Sequence, residues 1–232
     1  MTARIALVHA LAHSVAPVAD AFERLWPQAQ RMNLLDDSLS VDLAHSPAGL
    51  DERMTQRFVD LAEYALGTGA QGILFTCSAF GPCIDAVKRR WPDVPVLKPN
   101  EAMIDDAVRV AKTDGRGGRI GLIASFAPTL VSMPAEFPVG VEVIPVLAEG
   151  ALAALDAGDV VAHDRLAADA ARRAQAMGCD LIALAQFSLA GAASAVACAV
   201  PLPVLTTPAS AVRRLRSRLE SGKARPDSRT SA

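Results

Sequence analysis

Short apolar runs alternate along this chain with longer segments in which apolar residues recur every three or four positions. The short runs, rich in Val, Ile and Leu, predict β-strands, and the longer segments predict amphipathic helices. We predict eight strands, at residues 5–9, 32–35, 73–76, 94–97, 120–124, 141–146, 181–185 and 204–206. Helical periodicity is clearest at residues 50–66, 100–111, 163–177 and 208–219. This alternation predicts an α/β fold built from parallel sheets flanked by helices.

One strand–loop–helix phrase occurs twice in the chain. It reads GAQGILFTCSAFGP from Gly69 and GCDLIALAQFSLAGA from Gly178, so that Gln186 falls where the first copy has Cys77. The downstream phrases VPVLKPNEAM and LPVLTTPASA repeat the same register. Cys77 and Gln186 are 109 residues apart, and the two prolines that precede the VL pairs are 108 apart. The repeat predicts two pseudo-symmetric lobes, only one of which has a thiol at this position.

A glycine-rich stretch, KTDGRGGRIGLIAS, separates the two halves and leads into a strand similar to the first strand of the chain. We predict an N-terminal lobe of residues 1–114 and 208–222, a C-terminal lobe of residues 115–207, and a flexible tail of residues 223–232. The helices near Asn100 and Pro208 follow the last strand of each half, and we expect them to cross and brace the other lobe. The tail, KARPDSRTSA, is polar and lacks periodicity.

Composition narrows the classes of function. The 232 residues are 51% hydrophobic and 21% charged, which is enough apolar material for a sizeable core. Aromatic residues at 4% and a net charge of −2 argue against nucleic-acid binding. Apolar runs break well before the roughly 20 residues of a membrane span, and the N-terminus does not resemble a signal peptide. The four cysteines lack metal-ligand spacing, so we predict no metal and reduced thiols in a cytoplasmic protein.

Polar residues follow several of the predicted strands, at the edge where parallel α/β sheets bind ligands. These segments are residues 9–14, 76–78, 125–129 and 186–188. Cys77 is the leading candidate, because a thiol at a helix N-terminus is expected to have a lowered pKa and to be partly thiolate. Such a group can act as a base at carbon or as a nucleophile. The alternative is a buried core cysteine, which is the expectation for Cys83, Cys179 and Cys198.

Histidines give a second set of candidates. His9 ends the first strand, where an imidazole can exchange protons near neutral pH. The alternative for His9 is a hydrogen-bonded histidine with only a structural role. His45 and His163 are expected on loop or helix surfaces.

Four phrases together resemble the aspartate/glutamate racemase superfamily, which includes hydantoin racemases, maleate isomerases and arylmalonate decarboxylases. They are FTCSAFGP around Cys77, IGLIASFAPT from Ile120, ALAQFSLAGA from Ala183, and the paired PVLKPNEAM and PVLTTPASA. The resemblance extends from Arg4 to about Leu219. It implies two α/β lobes with the active site in the cleft between them, no cofactor, a small carboxylate substrate and a homodimer. It also implies one catalytic cysteine from each lobe, working on opposite faces of the substrate.

The resemblance assigns roles to particular residues. Cys77 matches the cysteine of the first lobe, and the hydroxyls of Ser78, Ser125 and Thr129 match the segments that hold the substrate carboxylate. Gln186 stands where the second thiol is expected. A glutamine cannot exchange a proton near neutral pH, so two-thiol racemisation is not expected, and Gln186 is expected to hydrogen-bond the substrate or an enolate-like oxygen. Ser188 has a hydroxyl two residues further on, without an evident base beside it.

Three single-thiol schemes are compatible with this pattern. Cys77 could protonate an enolate left by decarboxylation, or add to an activated double bond and leave after rotation. Alternatively, His9 or another polar group replaces the missing thiol. We therefore predict a racemase- or isomerase-like enzyme, with a malonate-type decarboxylase and a non-catalytic carboxylate-binding protein as alternatives. Phe80, Phe126 and Phe187 are expected either to form an apolar wall for the substrate or to belong to the core.

Overall fold

The structure, a computed structural model, describes residues 2–47, 49–113 and 118–223. Within these ranges the strands are β1 (Arg4–His9), β2 (Gln30–Leu35), β3 (Gly72–Phe75), β4 (Val96–Leu97), β5 (Ile120–Ala124), β6 (Val143–Leu147), β7 (Leu181–Leu184) and β8 (Val204–Thr206). The helices are α1 (Val15–Leu25), α2 (Ser38–His45), α3 (Glu52–Gly67), α4 (Gly81–Arg90), α5 (Glu101–Thr113), α6 (Ala127–Ser132), α7 (Ala151–Asp156), α8 (Val160–Ala176), α9 (Ala193–Ala199) and α10 (Thr207–Lys223). None of the helices in these ranges has the length and apolar character needed to cross a membrane.

Two compact units make up the chain. The first comprises Met1–Pro99 together with the chain from Ala211 onward, and the second comprises Asn100–Ser210. The helix α5 therefore belongs to the second unit and most of α10 to the first. The predicted first lobe, with residues 1–114, included α5, whereas the first unit ends this part of the chain at Pro99. Most of the predicted tail lies outside the described residues, and its first residue, Lys223, ends α10.

The first unit is built on a four-stranded parallel sheet in the order β2-β1-β3-β4. Its two central strands are buried because both faces of the sheet are covered, which is why they are almost wholly apolar. One face packs on α3 and α4. On that face the Phe58 ring of α3 lies 5.3 Å from the Phe75 ring of β3, and 4.8 Å from the ring of Phe80, centroid to centroid.

The second unit repeats this arrangement in the order β6-β5-β7-β8, again with all strands parallel. The helix α8 contributes a row of buried alanines, which allows it to approach the sheet closely. Gly121 of β5 reflects this approach. A Cβ atom at that position would lie 2.9 Å from the Cβ of Ala174 and 3.2 Å from Ile182 Cδ1.

All eight predicted strands are present, and the α/β class is confirmed. The strand β4 is shorter than predicted, since it is only Val96–Leu97 although residues 94–97 were predicted. Pro95 has no N–H for a strand ladder, and Val94 donates its N–H to the carbonyl of Trp91 in a turn. The Pro95 carbonyl accepts a hydrogen bond from Ile73, so the chain already lies beside β3 before β4 begins.

Candidate active site

Cys77 and Gln186 occupy equivalent positions in the two units. Each lies two residues beyond the second central strand of its sheet, β3 or β7. The hydrogen bond just before each residue is also equivalent. Thr76 N–H donates to the Val8 carbonyl at 3.0 Å, and Ala185 N–H donates to the Ile123 carbonyl at 2.8 Å. The sequence alignment of the two phrases is therefore matched by strand pairing.

The Cys77 thiol is half-buried and borders a narrow recess at the carboxyl edge of the first sheet. The other residues lining the recess come from the ends of β1 and β3 and from the two helices that cover this face: Val8, His9, Ala10, Leu39, Phe58 and Phe75. Leu39 of α2 and Phe58 of α3 are fully or almost fully buried. The thiol therefore has apolar neighbours on the helix side.

Burial raises the pKa of the Cys77 thiol above its ordinary value. The backbone N–H of Ala79 lowers this pKa by a smaller amount, and Cys77 makes no side-chain capping hydrogen bond to the short 3-10 helix Ser78–Phe80 that follows. The expectation of a lowered pKa was wrong, because removal of the thiolate from water outweighs the few N–H groups of one short turn. At neutral pH the resting group is the protonated thiol.

Arg57 of α3 holds α2 beside the recess. Its guanidinium donates to Asp36 Oδ2 at 2.7 Å, to Ser38 Oγ at 2.7 Å and to Asp42 Oδ2 at 2.5 Å. Asp36 and Ser38 lie at the start of α2, and Asp42 lies one turn further on. Burial alone would raise the pKa of Asp36, but the hydrogen bonds from Ser38 and Arg57 lower it overall. These contacts fix the helix that contributes Leu39 to the recess.

His9 is completely buried in a hydrogen-bond network. Its Nε2 lies 3.1 Å from Asn33 Oδ1, and its Nδ1 lies 2.9 Å from Ser14 Oγ and 3.0 Å from Thr76 Oγ1. With Asn33 oriented in this way, Nε2 carries the proton and donates it, while Nδ1 accepts from a hydroxyl. Burial lowers the pKa of His9, and the hydrogen bond with Asn33 offsets this only in part. The neutral imidazole is thus the favoured form.

The His9 ring and the Cys77 thiol point to opposite faces of the first sheet. His9 contacts the side chain of Thr76, and Cys77 is the next residue, with extended backbone at φ −120° and ψ 123°. Successive side chains of extended chain alternate between faces. Cys77 accordingly packs with Val8 and Phe75. Within this unit the structure places His9 in the hydrogen-bonded arrangement that was its structural alternative.

Gln186 is held by Ser125 in the second unit. The Gln186 Oε1 accepts the Ser125 backbone N–H at 2.6 Å and the Ser125 hydroxyl at 2.9 Å. Because a backbone N–H can only donate, the amide oxygen must occupy this side, and the Nε2 group points away from Ser125. The Nε2 group makes no hydrogen bond within the described ranges, so it presents two N–H donors.

The remaining predicted site residues are less tightly connected. Ser78 is exposed, and Thr129 and Ser188 are half-buried at the starts of short helical segments. Of the three phenylalanines, Phe80 and Phe187 belong to the core, and only Phe126 is exposed, with 49% of its surface accessible. In the part of the chain that the structure describes, no three His, Cys, Asp or Glu side chains cluster so as to hold a metal ion.

Other expectations have mixed outcomes. Cys83 and Cys179 are buried as expected for structural residues, whereas Cys198 is exposed on α9. His163 was expected on a helix surface but is buried, with its Nδ1 2.9 Å from Asp164. Asn33 was not predicted to contribute to a site. The only signal was a polar residue inside the otherwise apolar end of β2.

A family model described as Asp/Glu/Hydantoin racemase matches residues 18–215 of this chain. No curated protein sequence matches this chain significantly. Solved structures match over nearly the whole chain at low identity, which supports a shared fold. An allantoin racemase from Klebsiella pneumoniae has a TM-score of 0.70 and 16% identity, covering 99% of this chain and 96% of that one. A glutamate racemase from Francisella tularensis subsp. tularensis, in complex with D-glutamate, has a TM-score of 0.65 and 14% identity, with 98% and 85% covered. An unliganded arylmalonate decarboxylase has a TM-score of 0.63 and 15% identity, with 95% and 94% covered.

Proposed function

This chain belongs to the Asp/Glu/Hydantoin racemase family, and on that premise we propose that it is a cofactor-independent, racemase- or isomerase-like enzyme for a small carboxylate. Cys77 is the single catalytic thiol of this proposal. The observation that carries it is the equivalence of Cys77 and Gln186. The thiol borders a recess at the sheet edge, while the matching position holds an amide that cannot exchange protons near pH 7.

In the proposed step, Cys77 transfers one proton at a carbon next to the carboxylate. The thiolate form of Cys77 first removes the α-proton, so that the C–H bond breaks, an S–H bond forms and its electron pair remains on an enolate-like intermediate. The S–H bond then breaks as a C–H bond forms again on that intermediate, which regenerates the thiolate, and the thiol exchanges its proton with solvent between the two transfers. Gln186 supplies N–H donors to an oxygen that gains negative charge in this intermediate. Ser78 and Thr129 are the proposed hydroxyl donors to the substrate carboxylate.

Decarboxylation is the second candidate, and the protonated state of Cys77 favours it. Loss of carbon dioxide breaks a C–C bond and leaves its electron pair in an enolate, which needs an acid rather than a base. A thiol whose pKa is raised by burial is suited to that role at neutral pH. One of the structural neighbours is an arylmalonate decarboxylase, which is compatible with this alternative.

Two assays on one panel of compounds separate these reactions. Small carboxylic acids with an α-hydrogen are incubated with the enzyme in heavy water, and deuterium at the α-carbon is followed by proton NMR. Disubstituted malonates are tested in parallel for release of carbon dioxide. An isomerase incorporates deuterium without loss of carbon dioxide, whereas a decarboxylase releases carbon dioxide and incorporates deuterium only into the product.

The variant Cys77→Ala tests the assignment of the thiol, with Cys198→Ala as the matched control because Cys198 is exposed on α9. We expect Cys77→Ala to lose at least 100-fold in rate, on the order of what proton-transfer groups contribute, and Cys198→Ala to retain activity. Full activity of Cys77→Ala would overturn the proposal. If no compound is turned over but one stabilises both the wild type and Cys77→Ser against heat, the protein is a carboxylate-binding relative.

A further inference from the structure

The Ser125 side chain has a different role from the one that the sequence suggested. We infer that Ser125 is a positioning residue, which turns the Gln186 amide so that its N–H groups face the substrate, and that it is not itself a ligand of the substrate carboxylate. This inference deepens the proposed function, since it assumes that Gln186 binds a substrate oxygen.

Both donors of Ser125 are already used by Gln186. The backbone N–H and the hydroxyl converge on the same Oε1 atom, at 2.6 and 2.9 Å. A substrate carboxylate could take these donors only by displacing Gln186, whose oxygen would then lose two hydrogen bonds. Displacing a doubly hydrogen-bonded amide oxygen in a half-buried position is costly, since both bonds are lost and an unsatisfied acceptor there also loses its hydration.

The two donors also select one of the two amide orientations. A glutamine amide presents a C=O on one side and an NH₂ on the other, and rotation by half a turn exchanges them. With Ser125 in place, the oxygen faces Ser125 and the nitrogen points away from it. The equivalent pair in the first unit is Ala10 and Cys77, where Ala10 has no hydroxyl to donate. The hydroxyl of Ser125 therefore accompanies the amide at the second position and not the thiol at the first.

The chemical consequence is a preference for an oxygen acceptor. Two N–H groups that point away from Ser125 favour a carboxylate, carbonyl or enolate oxygen at this point of the substrate and disfavour an ammonium or guanidinium group. Amide donors directed at developing negative charge are an effective form of transition-state stabilisation, because they need no reorganisation during the reaction. Ser125 acts on this step through Gln186 alone.

The first experiment needs no substrate. Order parameters of the Gln186 side-chain NH₂ group are measured by ¹⁵N NMR in the wild type, Ser125→Ala, Ser125→Thr and the control Ser132→Ala. Ser132 is an exposed serine of the same unit, and its hydroxyl bonds to the Pro128 carbonyl. We expect a more mobile amide in Ser125→Ala, recovery in Ser125→Thr, and no change in Ser132→Ala. An unchanged amide in Ser125→Ala overturns the inference.

The second experiment is a double-mutant cycle in the turnover assay, with Ser125→Ala and Gln186→Met. Loss of one hydrogen bond predicts that Ser125→Ala lowers kcat/KM about three- to tenfold. If Ser125 acts through Gln186, the double variant is no slower than Gln186→Met alone. Additive losses, with a raised KM in Ser125→Ala, would instead identify a direct carboxylate ligand. If the wild type turns over no compound while the NMR result holds, the proposed function fails and the positioning of Gln186 stands.

Discussion

Burial decides the protonation state of the one thiol that the family resemblance singles out. Cys77 sits at the end of a strand and at the start of a helical turn, a position that alone suggests a thiolate. Burial in the recess that Leu39 and Phe58 line reverses that expectation and raises the pKa of the thiol. A thiolate there would lose more stabilisation by water than it gains from the N–H groups of the turn.

The reactivity of Cys77 provides a direct check. The raised pKa predicts that the thiolate fraction at pH 7 is lower than that of a free cysteine, whose pKa is about 8.5. Alkylation of Cys77 by iodoacetamide, followed by mass spectrometry from pH 6 to 10, should therefore rise at higher pH than alkylation of the cysteine in a short unfolded reference peptide. A Cys77 profile that rises at lower pH than that of the reference peptide would show that the thiol is activated.

Phe126 is the one phenylalanine of the three candidates that is exposed. It follows Ser125 directly and leaves 49% of its surface accessible, whereas Phe80 and Phe187 are core residues. We predict that Phe126→Ala raises KM about threefold to 20-fold for substrates with an aryl or alkyl substituent, as expected for lost apolar contact. Substrates without such a substituent should be little affected. Val139→Ala, at another exposed apolar residue of the same unit, is the control, and equal effects on all substrates would contradict the prediction.

Helix α2 depends on α3 for its position. The guanidinium of Arg57 bridges the start of α2 to Asp42, and Leu39 on the same helix borders the recess beside Cys77. Three hydrogen bonds from one planar group hold a short helix more firmly than separate surface ion pairs would.

Removal of the guanidinium should loosen α2 and expose the thiol. We predict faster alkylation of Cys77 at pH 9 in Arg57→Met, and no change in Arg53→Met, whose side chain is exposed one turn earlier on α3. The wild type should show the same loosening in acid, measured there as faster amide hydrogen exchange in α2, because the protonated thiol is not alkylated at low pH. The lowered pKa of Asp36 means that folding stabilises its ionised form. The contribution of Asp36 to stability is therefore complete above about pH 3.9, the ordinary pKa of a carboxyl group, and it is lost as the pH falls through the lower pKa of the folded protein. Equal alkylation of both variants and the wild type would contradict this role.

At the scale of the whole molecule, the C-terminal helix completes the core of the first unit. Residues from Ala211 onward belong to that unit, and Leu215 is completely buried. A Cβ atom at Gly72 would lie 3.3 Å from Leu215 Cδ2, so this leucine packs directly on the start of the central strand β3.

Leu215→Ala should therefore destabilise the protein by about 2–5 kcal/mol, the usual cost of removing a buried leucine side chain. Leu219→Ala, at a partly exposed leucine one turn later on α10, is the matched control and should cost much less. Urea unfolding measures the free energies, and amide hydrogen exchange locates the change. We expect reduced protection in β1 and β3, and a smaller change in β5 and β7. Equal loss of protection in both sheets would show that the two units unfold together.

Much of the fold follows from local patterns in the sequence. All eight strands and the parallel α/β class were predictable, because buried parallel strands need continuous apolar runs and the helices between them need an apolar stripe. The equivalence of Cys77 and Gln186 was also predictable, since it depends only on register along two similar segments. These features are properties of short stretches of chain, and short stretches are what periodicity reports.

Tertiary structure decided the chemistry of the candidate site. Burial raises the pKa of Cys77 in a recess that is lined by Leu39 and Phe58, which are distant in sequence, and His9 hydrogen-bonds to Asn33 and Thr76. The pairing of Ser125 with Gln186 joins residues 61 positions apart, through strands that are neighbours only in the folded sheet. The sequence by itself thus determined which residues reach the sheet edge. Desolvation and hydrogen bonding, which depend on what surrounds each group in space, determined what those residues can do.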